Sequence, residues 1–112
     1  MRTRFLIVDG YTKASRDEFD VAGMKHGGRL HAEMLRRWVP DAEYDVWLPC
    51  DDPTPPAPRR YHGVLWTGSN LNVYDRDNPS VTRQIEFAAT TYEAGTPAFG
   101  ACWGLQIAAA AA

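Results

Sequence analysis

Short apolar runs and stripes at helical spacing take turns along this chain. Arg4 to Val8 (RFLIV) is a short, mainly apolar run closed by Asp9-Gly10, the pattern of a buried strand that ends in a loop. Tyr11 to Asp20 is polar and mixed, and predicts no element. From Gly27 onward Leu30, Met34, Leu35 and Trp38 recur at helical spacing until Pro40-Asp41 stops them, which predicts an amphipathic helix with that stripe facing core or interface. Glu43 to Leu48 then alternates, with Tyr44, Val46 and Leu48 on one side and Glu43, Asp45 and Trp47 on the other, so a second strand is expected there.

Cys50 to Arg60 is crowded with prolines and aspartates. Missing backbone donors and fixed φ angles exclude a helix or a central strand, leaving a loop. Tyr61 to Thr67 (YHGVLWT) predicts a third strand that breaks into Gly68-Ser69-Asn70. Asn78 has the form of an N-cap and Pro79 of a first helical residue. Val81, Ile85, Ala88, Ala89 and Tyr92 make the apolar face of the helix that follows, and Gly95 closes it. Pro97 to Gly100 is a brief strand feeding Ala101-Cys102-Trp103, and Leu105 to Ala112 favours helix strongly. Strands alternating with helices predict an α/β fold, a parallel sheet with right-handed crossovers and helices on both faces. In such sheets ligands bind beyond the carboxyl ends of the strands, where Asp9-Gly10, Gly68-Ser69-Asn70 and Cys102 would all stand.

Composition narrows the class. The chain has 112 residues, room for one domain or part of one. A formal charge of −2 gives no electrostatic basis for binding nucleic acid or an anionic membrane. No apolar run is long enough to span a bilayer and no leader is recognisable, so a cytoplasmic protein is expected. The two cysteines sit in dissimilar contexts and do not form a disulfide framework. His26 and His31 are five apart and lack metal-ligand spacing. Asp75 to Asn78 with Glu86 resembles a calcium loop, but Pro79 and Ser80 stand where an oxygen ligand and a turn glycine are needed. Cys50, beside Asp51 and Asp52, is a poor nucleophile because neighbouring negative charge disfavours the thiolate.

The strongest chemical signal is Gly100-Ala101-Cys102-Trp103-Gly104, a nucleophile elbow with cysteine in place of serine. A sharp strand-to-helix reversal holds the nucleophile in a strained conformation and requires small residues two positions to either side. The free N–H groups of the following helix stabilise negative charge on sulfur or on an oxyanion. Attack on an amide would give a thioester, with the backbone N–H groups of Trp103 and Gly68 around the tetrahedral oxygen.

Extended to Leu105 and Gln106, this motif resembles the signature of class I glutamine amidotransferases, and Trp66-Thr67-Gly68-Ser69 resembles their oxyanion loop. The order of elements, Ala22-Gly23-Met24 and Tyr74-Asp75 are most similar to GMP synthase-like members. The resemblance covers residues 1–112 and implies the N-terminal part of one such domain, flavodoxin-like in fold and incomplete at its C-terminus. It implies Cys102 as catalytic nucleophile, Gly68 and Trp103 as oxyanion donors, Gln106 and Ser69 as substrate-binding residues, and Gly100 and Gly104 as elbow glycines. Glutamine would be the substrate, with no cofactor or metal, and the ammonia would pass to a synthase domain or subunit. The family's His-x-Glu pair lies well downstream of the elbow, whereas His26, His31 and His62 all precede Cys102. The 112 residues alone are therefore expected to lack useful glutaminase activity, and to expose apolar surface and a bare strand edge. Two other readings stay open: a related cysteine hydrolase, such as a γ-glutamyl hydrolase or a DJ-1-like protein, and a non-catalytic interaction module.

Overall fold

Four parallel strands form one sheet in the order β2-β1-β3-β4 in the computed structural model, which describes residues 2–112. The strands are β1 (Arg4–Val8), β2 (Glu43–Trp47), β3 (Gly63–Trp66) and β4 (Ala98–Gly100). The helices are α1 (Lys13–Val21), α2 (Gly27–Trp38), α3 (Pro79–Ala94) and α4 (Trp103–Ala111), with a 3₁₀ turn at Pro58–Arg60. The predicted parallel α/β fold is the observed one, of flavodoxin-like, class I amidotransferase type. No described helix is long and apolar enough to cross a membrane.

Strand pleating divides the core into two faces. Register pairs Leu6 with Asp45 and Val64, and Val8 with Trp47 and Trp66. Leu6, Val8, Trp47, Val64 and Trp66 share one buried cluster with Val81, Phe87 and Ala88 of α3 and Trp103 and Ile107 of α4. Ile7, aligned with Val46 and Leu65, points to the opposite face, which α2 covers. There α2 comes so near that a Cβ on Gly28 would lie 2.9 Å from Val46 Cγ1.

That close approach keeps the predicted apolar stripe of α2 out of the core, which leaves the interface alternative. Its sheet side is Gly28 and Ala32, whereas Leu30, Met34 and Trp38 are exposed, Trp38 at 83%. The small residues admit the helix to the strands, and the large stripe lies off that contact line. Helix α3 is similarly rotated from expectation. It starts at Asn78, whose side chain accepts from Ser80 N–H, and ends at Gly95 with φ 71°. Its buried positions are Val81, Gln84, Phe87, Ala88 and Thr91, while Tyr92 is exposed. In β2 the buried residue is Trp47, on the side that also carries Asp45, while Val46 is half exposed because β2 is an edge strand.

Helix α1 was not predicted. Thr12 caps it by accepting from Ser15 N–H, and the segment is polar because it lies outside the main core with only Arg16 buried. At the far side of the sheet β4 is an edge, and Phe99 and Leu105 beside it are each 63% exposed.

Candidate active site

Cys102 stands at the turn from β4 into α4 with φ 55° and ψ −106°, the one positive-φ residue other than glycine among those described. Such a conformation costs on the order of 1–3 kcal/mol and persists only where surrounding structure enforces it. Here the enforcement is steric. A Cβ on Gly100 would fall 2.6 Å from the Gly104 Cα, and one on Gly104 would fall 2.9 Å from the Trp66 Cβ. The strand end and the first helical turn are therefore in backbone contact, and the Cys102 side chain is left exposed.

Trp103 anchors the elbow from below. Its indole Nε1 donates to the side-chain oxygen of Gln84 at 2.9 Å, and both residues are buried. Gln84 in turn donates from Nε2 to the Ser80 carbonyl at 3.2 Å, so α3 fixes the residue next to Cys102. Gln84 was missing from the predicted apolar face of this helix. Its spacing from Val81, Ala88 and Thr91 marks the buried stripe in hindsight, as a polar residue among core positions that needs a partner.

The three strand-end loops do meet. A Cβ on Gly10 would lie 2.8 Å from Trp103 Nε1 and 3.0 Å from the Gly68 carbonyl oxygen, so Gly10 is wedged between elbow and Gly68 loop. Gly10 N–H donates to Thr67 Oγ1 at 3.0 Å, and Ser69 Oγ donates to the Gly10 carbonyl at 2.7 Å. Asn70 accepts from Thr12 N–H at 3.0 Å and donates to Thr12 Oγ1 at 3.1 Å. Asp9, fully buried, accepts from Tyr11 N–H and from Gly28 N–H, each at 3.2 Å, and so supplies a carboxylate to the start of α2. These contacts lock the β1 and β3 loops together. Sequence reasoning placed Asp9 and Asn70 at this edge without identifying the partners that tie them.

The backbone N–H groups of Gly68 and Trp103 take part in no backbone–backbone hydrogen bond among the described loops, turns and caps. Ser69 Oγ, besides donating to Gly10, accepts from Leu71 N–H at 3.0 Å, so its hydroxyl shapes the loop. Gln106 is exposed one turn beyond Cys102 on α4. The histidines sit apart from one another in role. His62 Nδ1 accepts from Arg4 N–H at the amino end of the strands, His31 Nδ1 donates to the Gly27 carbonyl, and His26 Nε2 pairs with Asp20 at 2.8 Å.

Cys50 is half-buried, with its sulfur 3.7 Å from the Gly10 carbonyl. Burial pushes its thiol above the ordinary value, and the charge of Asp51 adds to this, while a hydrogen bond with Ser80 acts the other way. Desolvation, more than the neighbouring aspartate, is thus the main cause that disfavours its thiolate. Among the described residues no group of three or more His, Cys, Asp or Glu is placed to hold a metal ion. A groove of about 780 Å³ between the proline-rich loop and α3 includes Arg59, Arg83, Glu86 and Glu93 but not Cys102, and stands away from the elbow.

No protein-family model matches this chain, and no solved structure matches it. A curated relative, a gamma-glutamyl-L-1-hydroxyisopropylamide hydrolase from Pseudomonas sp, is 36% identical over 117 residues. The alignment takes in 99% of this chain but 38% of that protein, so the chain spans well under half the length of the relative it matches. This likeness points to the class I glutamine amidotransferase-like superfamily and does not single out the GMP synthase-like subgroup.

Proposed function

We propose that these residues are the nucleophile-bearing part of a cysteine amidohydrolase domain that cleaves γ-glutamyl amides. The observation that carries this reading is the strained backbone of Cys102, φ 55° on a strand-to-helix turn, with its thiol exposed. Strain of that kind is retained where it presents a reactive atom. The Cys102 sulfur attacks the γ-carbonyl, the Gly68 and Trp103 N–H groups stabilise the oxyanion, and the amine leaves to give a γ-glutamyl thioester. Water then releases glutamate. Gln106, exposed one turn beyond Cys102, and the Ser69 loop are the substrate-binding elements of this reading.

A base must accept the thiol proton and return one to the leaving amine. The bonded positions of His26, His31 and His62 favour a base and its orienting acid from outside these 112 residues, and the 112 residues alone then turn over poorly. The name of the Pseudomonas relative, a hydrolase, supports release of the amine to solvent. A second reading keeps the same thioester but takes glutamine as substrate and passes ammonia to a synthase partner, in the manner of the GMP synthase-like subgroup. The motif Gly100 to Gln106 favours it equally, and both readings place the protein in the cytoplasm.

Acid-quenched intact mass after incubation with glutamine or a γ-glutamyl alkylamide tests the shared step. A gain of one glutamyl group on Cys102, absent from Cys102→Ala, is the expected result. Exchange of free amine into the thioester pool separates hydrolysis from transfer. No adduct with any γ-glutamyl amide, together with equal alkylation of Cys50 and Cys102, removes the catalytic reading and leaves an interaction module.

A further inference from the structure

Tyr11 lies in the loop between β1 and α1, at the edge that carries Cys102, and its placement is over-determined. Its N–H donates to Asp9 Oδ1 at 3.2 Å, and its carbonyl accepts from the buried Arg16 guanidinium at 2.7 Å. Its ring meets Phe19 edge-on, with centroids 5.0 Å apart and planes at 79°. Arg16 is itself held by an ion pair with Asp51. The backbone of Tyr11 is thus held at its N–H and its carbonyl, its ring rests on Phe19, and its hydroxyl stands over Gly68. A Cβ at Gly68 would lie 2.7 Å from the Tyr11 hydroxyl oxygen and 3.4 Å from Cζ.

The hydroxyls around it are all engaged: Thr67 with the Gly68 carbonyl, Ser69 with the Gly10 carbonyl, Thr12 with Asn70. The Tyr11 hydroxyl is different. It forms no hydrogen bond among the described residues, although the loop it touches is otherwise closed by such bonds. A phenol held rigidly with an open donor costs little to order when it meets an acceptor. The N–H of Gly68, the residue it touches, takes part in no backbone–backbone hydrogen bond either.

We infer that Tyr11 is a substrate-contacting residue whose hydroxyl donates a hydrogen bond to the γ-glutamyl amide beside the Gly68 N–H, adding a phenolic donor to the two backbone donors. The inference rests on the γ-glutamyl reading of Cys102 proposed above. It also accounts for Gly68: any side chain there would displace the phenol. Tyr11 thereby makes α1 and its loop part of the site, a role not evident from their polar sequence.

The test compares two alkylating reagents on Cys102 in the wild-type chain and in Tyr11→Phe. A chloromethyl ketone analogue of glutamine presents a carbonyl to the donors, and its methylene carbon bonds to sulfur as chloride leaves. Iodoacetamide alkylates the same sulfur with loss of iodide and needs no such donors. Tyr11→Phe is expected to slow labelling by the glutamine analogue about tenfold, below the usual cost of losing one oxyanion donor. The iodoacetamide rate and the thermal midpoint should stay unchanged, because the hydroxyl has no partner in the fold. Unchanged labelling by the analogue overturns the inference. An equal fall with both reagents also overturns it, since that reports a disturbed loop. A wild-type Cys102 with no preference for the analogue over iodoacetamide overturns the γ-glutamyl reading itself, and the role of Tyr11 with it.

Discussion

At the carboxyl end of the strands, side chains bond to backbone, Thr67 and Ser69 to Gly10 and Asp9 to Tyr11 and Gly28, and the buried Gln84 side chain accepts from the Trp103 indole. At the amino end, Arg2 and Arg4 reach Glu43 at 3.3 and 3.0 Å, and Arg4 stands 4.0 Å from Asp45, in groups that remain largely open to water. The two ends use similar numbers of polar residues to different effect. Removing one partner from a buried bond leaves the other unsatisfied, whereas an exposed ion pair is replaced by hydration and screened by salt. Rigidity is therefore concentrated where three loops must hold one geometry around Cys102. The amino end joins β1 and β2 without enforcing any shape beyond the strand register.

If that contrast is right, substitutions should rank accordingly. Gly100→Val places a branched side chain against the Gly104 backbone, which cannot rotate away, and should cost about 3 kcal/mol or more in urea unfolding. A well-folded variant would show that the elbow relaxes and does not enforce the Cys102 conformation. Asp9→Ala orphans two N–H groups at a fully buried position and should cost about 2–3 kcal/mol by the same measurement. Cys102→Gly relieves the positive φ that Cys102→Ala retains, so the glycine variant should be the more stable of the two by about 1 kcal/mol. Equal stabilities would mean that the strain is not borne by this residue.

The amino end should respond to solvent conditions more than to mutation. Tyr61 donates to Asp45 at 2.7 Å, and burial first, then that bond, pushes its phenol from 10.0 up to about 12. The folded state then holds this proton more tightly than the unfolded chain. Its contribution to stability is complete below pH 10 and is lost as pH rises toward about 12. Tyr61→Phe should flatten the stability profile over that interval, as followed by circular dichroism. The smallest effect is expected for Glu43→Gln. The Arg4 hydrogen bond holds the Glu43 carboxyl below its ordinary 4.5, so its contribution is present above that value and fades as pH falls. Any shift in thermal midpoint should vanish in molar salt, and persistence there would show that the amino end is structurally more demanding than its exposure suggests.

Much of this organisation was readable before any coordinates. The four strands, three of the helices, the Asn78 cap and the Gly95 terminator follow from windows of a few residues, because period and steric punctuation are local. The elbow was readable for the same reason, since glycines two positions either side of Cys102 answer to contacts between near neighbours in the chain. Misses came where the deciding partner is distant. Tyr11 to Asp20 has no helical stripe because α1 does not pack into the main core, and its cap at Thr12 depends on a loop shared with Asn70. The choice between core and interface for the α2 stripe stayed open because Val46 and Asp9, far along the chain, select Gly28 and Ala32 as the contact line.

The amino-acid sequence thus carries the architecture and the turn that presents Cys102, since both arise from local geometry and from the hydrophobic period. Which stripe of each helix is buried, how Gln84 secures Trp103, and where the Tyr11 hydroxyl stands depend on packing between segments tens of residues apart. Rotation of a helix about its own axis changes no local preference. It is set only when the opposing surface is present, and in this protein that surface also decides which polar groups reach the site.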